Sequence, residues 1–360
     1  MKILVVRFRQ MGDAILATPM LSTLKQNFPE AEIDFVLNER IAPLFEGHPA
    51  LHRIIAFTDE ERHSLLTYIR KVWRTVHQTR YDAIIDMRST MNTMLFSLFS
   101  LGSKIRIGIR KPYTWGVFNR RKEGCRADES MVSHNLKLAE PLKSWLPRSE
   151  WTEDRNLSLT ITTQEQQRYR QYMEQQGIDF RHPVMLVGVT AKLEHKTWPE
   201  DRMVYVLGRL TADYPQWQLV FNYAPGKEAA NARRIYDMLV AGTQGEDLDH
   251  RLFLNIEAKT PRQLAAMAAN CTAYFGNEGG ARHIVHAMGR PSIVVCSPGV
   301  SKATWLPQDT DTVAEGIDGP SYDLITTDHV YEALKHFITT IAVNPAHTGT
   351  PSHPADQQGL

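Results

Sequence analysis

The sequence has few cysteines and no long apolar run. Cys125, Cys271 and Cys296 are too few and too far apart for a disulfide framework, and the Cys-His and His-His spacings of zinc sites are missing. No segment reaches the roughly eighteen consecutive apolar residues of a membrane-spanning helix. Arg7 and Arg9 limit the first apolar run to four residues, too short for the core of a secretory leader. We therefore expect a cytoplasmic protein with free thiols and no bound metal.

Familiar cofactor and catalytic motifs are absent as well. No Gly-x-Gly-x-x-Gly follows the first predicted strand of either half, which disfavours a nicotinamide or flavin enzyme. Segment 224–228 lacks the Ser/Thr and the upstream glycine of a P-loop. There is also no Gly-x-Ser-x-Gly nucleophile elbow. A dehydrogenase is therefore the least favoured enzyme class.

Positive charge is concentrated in the first half, although the net charge is only +1. Segment 51–150 contains 18 Lys and Arg against 10 Asp and Glu, which predicts an anionic partner. Stacking aromatics are not interleaved with these cations, so a phosphorylated or carboxylated substrate is favoured over nucleic acid. The basic amphipathic helix predicted around Trp73 allows two interpretations. It is either a helix packed on the sheet with a solvated basic face, or a surface that contacts anionic lipid.

Strand and helix patterns alternate in both halves, which predicts an α/β fold with two parallel-sheet domains. We expect domains over 1–160 and 161–343, with a linker at 145–159, an active site in the cleft between the sheets and a disordered tail at 344–360. The predicted strands are 3–7, 33–37, 54–57, 83–86, 105–109, 184–189, 217–222, 273–275 and 292–296. The predicted helices are 14–27, 60–78, 90–101, 131–145, 201–214, 228–240, 261–270 and 281–288.

The loop from Arg7 to Asp13 leaves the first strand and ends at the start of a helix. Open α/β sheets bind ligands at this position, so we expect Asp13 to contact substrate and to act as a catalytic base. The alternative is that Asp13 only caps the helix. Both roles can be combined in one residue.

Two segments of the second half carry ligand-binding groups. Segment 189–200 presents the Thr190 hydroxyl and the lysines Lys192 and Lys196 before Pro199 starts a helix, a combination suited to phosphate. Segment 275–287 places two glycines before a helix whose free N–H groups attract anions. The alternatives are a polar loop with incidental charge and a glycine turn without a ligand.

These residues carry a resemblance to glycosyltransferase family 9, the ADP-heptose:lipopolysaccharide heptosyltransferases. The similar motifs are the opening Arg-Phe-Arg-Gln-Met-Gly-Asp-Ala-Ile-Leu-Ala-Thr-Pro, the His-Lys-Thr-Trp-Pro run at 195–199 and segment 276–283. They occur in the family's order over roughly residues 1–340. The resemblance implies the GT-B architecture, with two Rossmann-like domains facing each other across a cleft. The acceptor binds to the first and the nucleotide sugar to the second.

The resemblance also implies roles for individual residues. Asp13 matches the family's general base, and Lys196 is expected to stabilise the leaving diphosphate. Where the family usually has Asp-Ser/Thr-Gly, this chain has Glu278, Gly279 and Gly280. The expected donor-binding residues are Thr190, Lys192, Glu228 (for the nucleoside), Glu278, Gly279, Gly280, Arg282 (on the phosphates) and His283. The expected acceptor-binding residues are Arg9, Gln10, Gly12, Arg62, Arg88, Arg120 and Arg121, with Arg7 as a further candidate.

The resemblance predicts an inverting transfer of heptose from ADP-heptose to the lipopolysaccharide inner core. The family does this without an essential Asp-x-Asp metal, and neither such tripeptide here, at 247–249 and 309–311, follows an apolar strand. We expect no cofactor beyond ADP-heptose as co-substrate, peripheral contact with the inner membrane, and no nucleic-acid partner. Two alternatives stay open: a GT-B transferase for another nucleotide sugar, and a non-catalytic nucleotide- or carbohydrate-binding protein.

Overall fold

Two six-stranded sheets of parallel strands form the framework of the molecule. The computed structural model describes residues 1–8, 10–147, 150–242, 248 and 250–343. The chain forms two units, Met1–Thr160 with Pro307–Asp309, and Ile161–Leu306 with the chain from Thr310 onward. The α/β class with two parallel sheets is thereby confirmed. The predicted tail at 344–360 lies outside the described residues.

The N-terminal unit has the sheet order β3-β2-β1-β4-β5-β6. Its core packs Leu4, Phe57, Tyr68, Val72 and Phe96 against one another. The strands are β1 (Lys2–Val6), β2 (Glu32–Asn38), β3 (Arg53–Phe57), β4 (Ala83–Asp86), β5 (Ile105–Ile109) and β6 (Arg120–Lys122). The helices are α1 (Met11–Ile15), α2 (Thr18–Asn27), α3 (Asp59–His63), α4 (Leu65–Gln78), α5 (Met94–Leu98) and α6 (Met131–Ala139).

The C-terminal unit repeats this topology, in the order β12-β11-β10-β7-β8-β9. Its core includes Val187, Trp198, Phe221, Phe275 and Phe337. The strands are β7 (Val184–Gly188), β8 (Gln218–Phe221), β9 (Leu252–Phe253), β10 (Ala273–Asn277), β11 (Ser292–Val295) and β12 (Ala314–Ile317). The helices are α7 (Thr163–Gln175), α8 (Glu200–Asp213), α9 (Lys227–Gly242), α10 (Pro261–Ala269), α11 (Gly280–Ala287), α12 (Lys302–Trp305) and α13 (Thr327–Val343).

Each sheet has one point at which the strand order reverses. In the first sheet it lies between β1 and β4, and in the second between β7 and β10. Loops that leave two such strands diverge to opposite faces, which opens a crevice at their carboxyl ends. The topology therefore places one candidate crevice in each unit.

Several predicted elements have different bounds in the structure. The helix predicted at 14–27 is two helices, α1 and α2, with Pro19 at the start of the second. The helix predicted at 60–78 is α3 and α4, separated at Ser64. The helix predicted at 131–145 stops at Ala139 and continues as the 3₁₀ helix Glu140–Trp145, because Pro141 has no N–H to donate to an α-helical bond. The helix predicted at 90–101 is shorter in the structure, where α5 covers only Met94–Leu98.

Candidate functional site

The N-terminal crevice holds a buried ion pair between Arg7 and Asp13. Nη2 of Arg7 donates to Oδ1 of Asp13 at 3.1 Å, and Nη1 donates to the carbonyl of Met87, just after β4, at 3.1 Å. Arg7 is only 3% exposed, and Asp13 8%. Arg7 therefore fixes the Asp13 carboxylate at the strand-order reversal, and we assign it a positioning role beside the predicted base.

The structure does not place Asp13 at the N-cap of its helix, so the alternative capping role is wrong. Helix α1 begins at Met11, so its N-cap is Gln10, and Asp13 is the third residue of the helix. The Gln10 side chain makes no capping hydrogen bond. Asp13 is thus an acidic residue in the first turn, a position that helices favour electrostatically, and its carboxylate contacts Arg7.

The loop after β4 presents Arg88 and is built on Asp86, a residue that the sequence reasoning missed. Oδ1 of Asp86 accepts the backbone N–H groups of Arg88 and Ser89, at 2.9 and 2.8 Å. Ser89 has a φ of 50°, an unusual conformation for a residue other than glycine. Burial raises the pKa of Asp86 to about 6, against the opposing effect of these hydrogen bonds. The sequence did carry a signal for Asp86, because it is an acidic residue at the end of the predicted strand 83–86.

The structure brings some of the predicted acceptor residues together and not others. Nη1 of Arg88 donates to the Phe8 carbonyl at 2.6 Å, and the Arg62 guanidinium lies 5.7 Å from the centre of the Phe8 ring. Arg120 and Arg121 lie on the edge strand β6, where Arg120 bonds to the neighbouring Asn119 carbonyl. Gln10 is exposed and Gly12 is partly buried. Arg9 lies outside the described residues.

A cavity of about 230 Å³ opens beside this crevice. Lys111, which follows β5, lies at this cavity and donates to the carbonyls of Arg88 and Ser89, at 2.8 and 3.1 Å. The wall carries cations, which suits a carboxylate or phosphate group. The lining residues are Arg7, Met87, Arg88, Thr90, Ile109, Lys111, Cys125, Met131 and His134. Of these, the sequence reasoning had named only Arg7 and Arg88 as candidates.

Cys125 and His134, which line this cavity, lie close to Glu129, with possible ligand atoms of the three residues within 4.8 Å of one another. The sequence spacing did not suggest this grouping. The Glu129 carboxylate is, however, paired with the Lys137 ammonium at 2.5 Å. Burial lowers the pKa of His134 and raises that of Cys125. The Lys137 ammonium already neutralises the Glu129 carboxylate, which would otherwise be available as a metal ligand. We therefore do not assign a metal to this cluster.

In the C-terminal crevice the backbones of β7 and β10 approach each other closely. Gly276 has a φ of 145°, and a Cβ there would lie 2.4 Å from the Gly188 carbonyl oxygen. A Cβ on Gly188 would meet the Tyr274 hydroxyl at 1.9 Å. Both positions therefore require glycine. The close approach aligns the two strand ends from which Thr190 and Glu278 follow.

Asn277 ties the two strand ends to the loop that carries the predicted phosphate-binding groups. Its Nδ2 donates to the Gly188 carbonyl at 3.0 Å, and its Oδ1 accepts the Trp198 backbone N–H at 2.7 Å. Trp198 is itself fully buried. Asn277 thereby fixes the segment from Thr190 to Trp198, and sequence reasoning did not assign it this role.

Four predicted donor-site residues form two contacting pairs. Nζ of Lys196 lies 3.4 Å from Oε2 of Glu278, and the Thr190 hydroxyl donates to Oε2 of Glu228 at 2.9 Å. Lys192 is exposed. The structure thus brings Thr190, Lys196, Glu228 and Glu278 to the carboxyl ends of β7, β8 and β10.

Helix α11 starts at Gly280 beside these pairs. Gly279 has a φ of 179°, extended backbone that any residue adopts, and a Cβ there would meet no atom within 4 Å. Glycine at 279 is therefore not required by the fold. Its absent side chain leaves room beside the helix start.

Arg282 and His283 lie beneath this surface. Arg282 is 0% exposed, and its Nη2 donates to the Trp305 carbonyl at 2.8 Å and to Nε2 of His283 at 3.1 Å. Burial lowers the pKa of Arg282 to about 10, although nearby Glu278 opposes this shift. Burial and the charge of Arg282 hold the pKa of His283 well below its usual 6.5. The structure therefore buries the Arg282 charge in the first turn of α11 and favours the neutral form of His283.

A larger cavity of about 510 Å³ lies between α7 and α10, away from these groups. Tyr169 and Tyr172 line it, together with the ion pair of Glu165 and Arg262. None of the predicted donor-binding residues lines this cavity. The convergence of charged groups at the strand-order reversals, and not cavity size, therefore identifies the candidate site.

Comparison with known proteins identifies relatives over most of the chain. A family model described as glycosyltransferase family 9 (heptosyltransferase) matches residues 69–314. Lipopolysaccharide heptosyltransferase 3 of Escherichia coli (strain K12) is 21% identical over 340 residues, which cover 92% of this chain and 92% of that protein. The match thus extends over both units.

Two solved structures share the fold. One is a glycosyl transferase family 9 protein from Veillonella parvula DSM 2008, with a TM-score of 0.77, 15% identity, and coverage of 94% of this chain and 97% of the other. The second is the E. coli ADP-heptose lps heptosyltransferase II, with a TM-score of 0.71, 21% identity, and coverage of 95% and 100%. These likenesses confirm the expected GT-B fold.

Proposed function

This chain belongs to glycosyltransferase family 9, and we propose that it transfers a heptose from ADP-heptose to the inner core of lipopolysaccharide, with inversion at the sugar carbon. The two E. coli relatives support this choice of substrates, because one is named for ADP-heptose and both are named for lipopolysaccharide. The observation that carries the proposal is the set of charged pairs at the two strand-order reversals. One reversal holds a fixed carboxylate, and the other holds a lysine beside a helix start.

On the donor side, Lys196 and the N–H groups that begin α11 are proposed to bind the diphosphate. An ammonium and a helix N-terminus both stabilise phosphate oxygens, and Arg282 adds positive charge from below. The Thr190 hydroxyl, which donates to Oε2 of Glu228, is proposed to bind a phosphate oxygen as well. Glu228 is proposed to accept hydrogen bonds from the nucleoside ribose.

On the acceptor side, Asp13 is proposed to take the proton from the attacking hydroxyl. The carboxylate is held by Arg7, so it does not need to be reoriented when the acceptor arrives. Arg88 and Lys111 line the neighbouring cavity and can bind anionic groups of the core sugars. We also propose that the remaining predicted acceptor residues, including Arg9, contact the acceptor.

An inverting transfer is a single displacement. The acceptor oxygen forms the new bond to the anomeric carbon as the bond to the β-phosphate oxygen breaks, and the acceptor proton passes to Asp13. Negative charge develops on the β-phosphate of the departing ADP, where Lys196 and the start of α11 stabilise it. Because these groups supply positive charge, we propose that transfer does not require a metal. Activity should then survive a chelator.

Peripheral contact with the cytoplasmic face of the inner membrane belongs to the same proposal, since a lipopolysaccharide acceptor is anchored in a bilayer. None of the described helices combines the length and apolar character that a membrane span requires. Segment 51–150 carries the excess of basic residues. Contact by a surface is therefore the form of association that we propose.

A donor screen tests the proposal directly. The purified chain is given a heptose-deficient core acceptor with ADP-heptose, ADP-glucose, UDP-N-acetylglucosamine or GDP-mannose, and the product mass and nucleotide release are measured. We expect a heptosylated product with ADP-heptose and little product with the others. Binding of nucleotide sugars without release of ADP would contradict an enzymatic role.

Transfer of another nucleotide-activated sugar is the second candidate. The observation that favours it is the pair formed by Lys196 and Glu278, with Gly279 following where the family usually has a hydroxyl residue. A longer carboxylate and a missing hydroxyl change the hydrogen bonds available to the sugar. The same screen decides between the two candidates, because the preferred donor is read out as the product mass.

A further inference from the structure

Large apolar side chains are unusually exposed around the carboxyl edge of the N-terminal sheet. Leu66 is 82% exposed, Trp115 78% and Met91 67%. Leu65 and Tyr113 are also exposed. We call Leu65, Leu66, Met91, Tyr113 and Trp115 the apolar rim. Single exposed apolar side chains are common, but several that cluster on one surface mark a binding surface.

Hydrogen bonds join the segments that carry the apolar rim. The Tyr68 hydroxyl, on the first turn of α4, donates to the carbonyl of Asn92, next to Met91, at 3.0 Å. The Tyr113 hydroxyl donates to the carbonyl of Ser89, on the same loop, at 3.2 Å. Ser89 directly follows Arg88, which contacts the crevice of Asp13 through Phe8. The apolar rim therefore lies along the same sheet edge as the proposed acceptor site.

Helix α4 adds unbalanced positive charge to this surface. Its sequence, LLTYIRKVWRTVHQ, contains no Asp or Glu. Lys71 pairs with Glu61, whereas among the described residues Arg70 and Arg74 form no ion pair. Both arginines lie on the exposed face of α4, as does Trp73. The buried face packs into the core through Tyr68, Val72 and Val76.

Acidic groups near the apolar rim are largely compensated. Asp59 pairs with Arg40 and Arg62, and Glu61 pairs with Lys71. Glu60 is an exposed carboxylate on α3. Glu39, whose Oε1 accepts the Asp59 N–H, forms no ion pair among the described residues, and neither does Glu60. Segment 59–80 nevertheless carries five arginines and lysines against three acids, so its charge balance is positive. A positively charged surface with protruding Leu and Trp side chains complements an anionic bilayer.

We propose that the apolar rim and the exposed face of α4 bind the surface of an anionic phospholipid bilayer. The apolar side chains enter the interface, and Arg70 and Arg74 contact the negative headgroups. This inference rests on the proposed function in one respect, namely that a membrane-anchored acceptor gives the contact a purpose. The inference goes further by naming the surface that meets the bilayer. In this arrangement the crevice that holds Asp13 lies next to the headgroups, where the sugar of a membrane-anchored acceptor would be.

Vesicle sedimentation with the full-length protein tests the proposal. We expect binding to vesicles containing phosphatidylglycerol, weakening as salt is raised, and little binding to pure phosphatidylcholine. The double variant Arg70→Gln/Arg74→Gln should bind the anionic vesicles about tenfold or more weakly. The double variant Leu66→Ser/Trp115→Ser should also lose most of the binding.

Matched controls come from the opposite edge of the same sheet. Leu101 precedes β5 and is 64% exposed, and Lys104 is exposed beside it. Leu101→Ser and Lys104→Gln should bind vesicles like the wild type. Equal binding by the rim variants and the controls would overturn the proposal, as would wild-type binding to neither vesicle. Concentration-dependent self-association that the rim variants abolish, without vesicle binding, would assign the surface to a second copy of the chain.

The outcomes separate this inference from the proposed function. Vesicle binding uses no sugar, so it is measured whether or not heptose is transferred. The rim variants should retain wild-type turnover on a lipid-free core oligosaccharide and lose rate on an acceptor embedded in vesicles. If the rim variants keep full activity on the embedded acceptor, the membrane role of this surface is contradicted, whereas the proposed transferase activity is unaffected.

Discussion

At the scale of single residues, an ion pair lies in each of the two crevices. Arg7 fixes Asp13 in the N-terminal unit, and Lys196 contacts Glu278 in the C-terminal unit. The two pairs differ in how accessible their side chains are to solvent. The Arg7 pair is nearly inaccessible, whereas about a third of the Lys196 side chain is exposed. Lys196 can therefore exchange its carboxylate for a phosphate, and Arg7 is suited only to hold Asp13 in place.

Lys196 is expected to be the main phosphate-binding cation. Replacing it in Lys196→Ala should weaken ADP binding by about 10- to 100-fold, because a charge-assisted hydrogen bond to phosphate is lost. Lys192→Ala is the comparison within the same loop: Lys192 is also an expected donor-binding residue, but it is more exposed, so we expect its loss to weaken ADP binding less. Calorimetry of ADP binding measures both. Equal losses in the two variants would place the phosphate elsewhere in the loop.

At the scale of elements, the crevice of the C-terminal unit depends on the close approach of two strands. Gly276→Ala should unfold more easily than the wild type, by about 3 kcal/mol or more, because its Cβ would meet the backbone of Gly188 at a φ of 145°. Gly279→Ala is the control, with extended backbone and open space. Denaturant unfolding measures both variants. A similar free energy of unfolding for the two would show that the strands can separate.

Asp86 gives a pH-dependent test of the loop that follows β4. Burial raises its pKa from 3.8 to about 6, so the folded protein holds this proton more tightly than the unfolded chain. The resulting stability is present at low pH and is lost as the pH rises through about 6. Asp86→Asn removes the titration while keeping an oxygen acceptor. Relative to wild type, the variant should gain up to about 3 kcal/mol between pH 4 and pH 7.

Thermal unfolding of both proteins across this pH range measures the difference. Using the difference between variant and wild type removes the contributions of other titrating groups. An offset that does not change with pH would mean that Asp86 titrates near its ordinary value and that the buried loop is more hydrated than its burial indicates.

Most elements that sequence reasoning identified have a strong local pattern, although helix α13, whose buried apolar residues recur at helical spacing, was missed. The central strands β1, β4, β7 and β10 each contain an apolar run, with Lys2, Asp86 and Asn277 only at strand ends, because the middle of a strand covered on both faces is buried on both. The edge strands β6, β9 and β12 were missed. β6 is Arg-Arg-Lys and β9 has two residues, so their pairing is set by the neighbouring strand and not by composition. Helix α7 was missed because it buries mainly Tyr169 and Met173 among polar residues.

The candidate site could be predicted only where a residue follows a strand or begins a helix. Asp13, Thr190 and Glu278 do so, and the structure brings each to a strand-order reversal. Asn277 and Lys111 act through contacts with residues 79 to 89 and 22 to 23 positions away. The sequence carries no local signal for such pairings. Sequence position also could not show that Arg282 is buried beneath the site.

At the scale of the whole molecule, two units of the same topology divide the chemistry between them. The N-terminal unit is proposed to carry the base and the acceptor, and the C-terminal unit the nucleotide. ADP binding to the full chain should therefore slow amide hydrogen exchange in segments 190–198 and 278–283. Segments 87–92 and 10–15 should change little. Protection of the N-terminal segments alone would show that the nucleotide binds to the other unit.

The central claim is that Asp13 acts as the base in heptose transfer from ADP-heptose, and one comparison tests it most directly. Asp13→Asn keeps the size of the side chain and an oxygen for Arg7, but cannot accept the acceptor proton in the same way. We predict a fall in kcat of about 10²- to 10⁴-fold, with ADP affinity near that of the wild type. Steady-state formation of heptosylated product, measured beside ADP titration, gives both numbers. Turnover by Asp13→Asn comparable to the wild type would contradict the account.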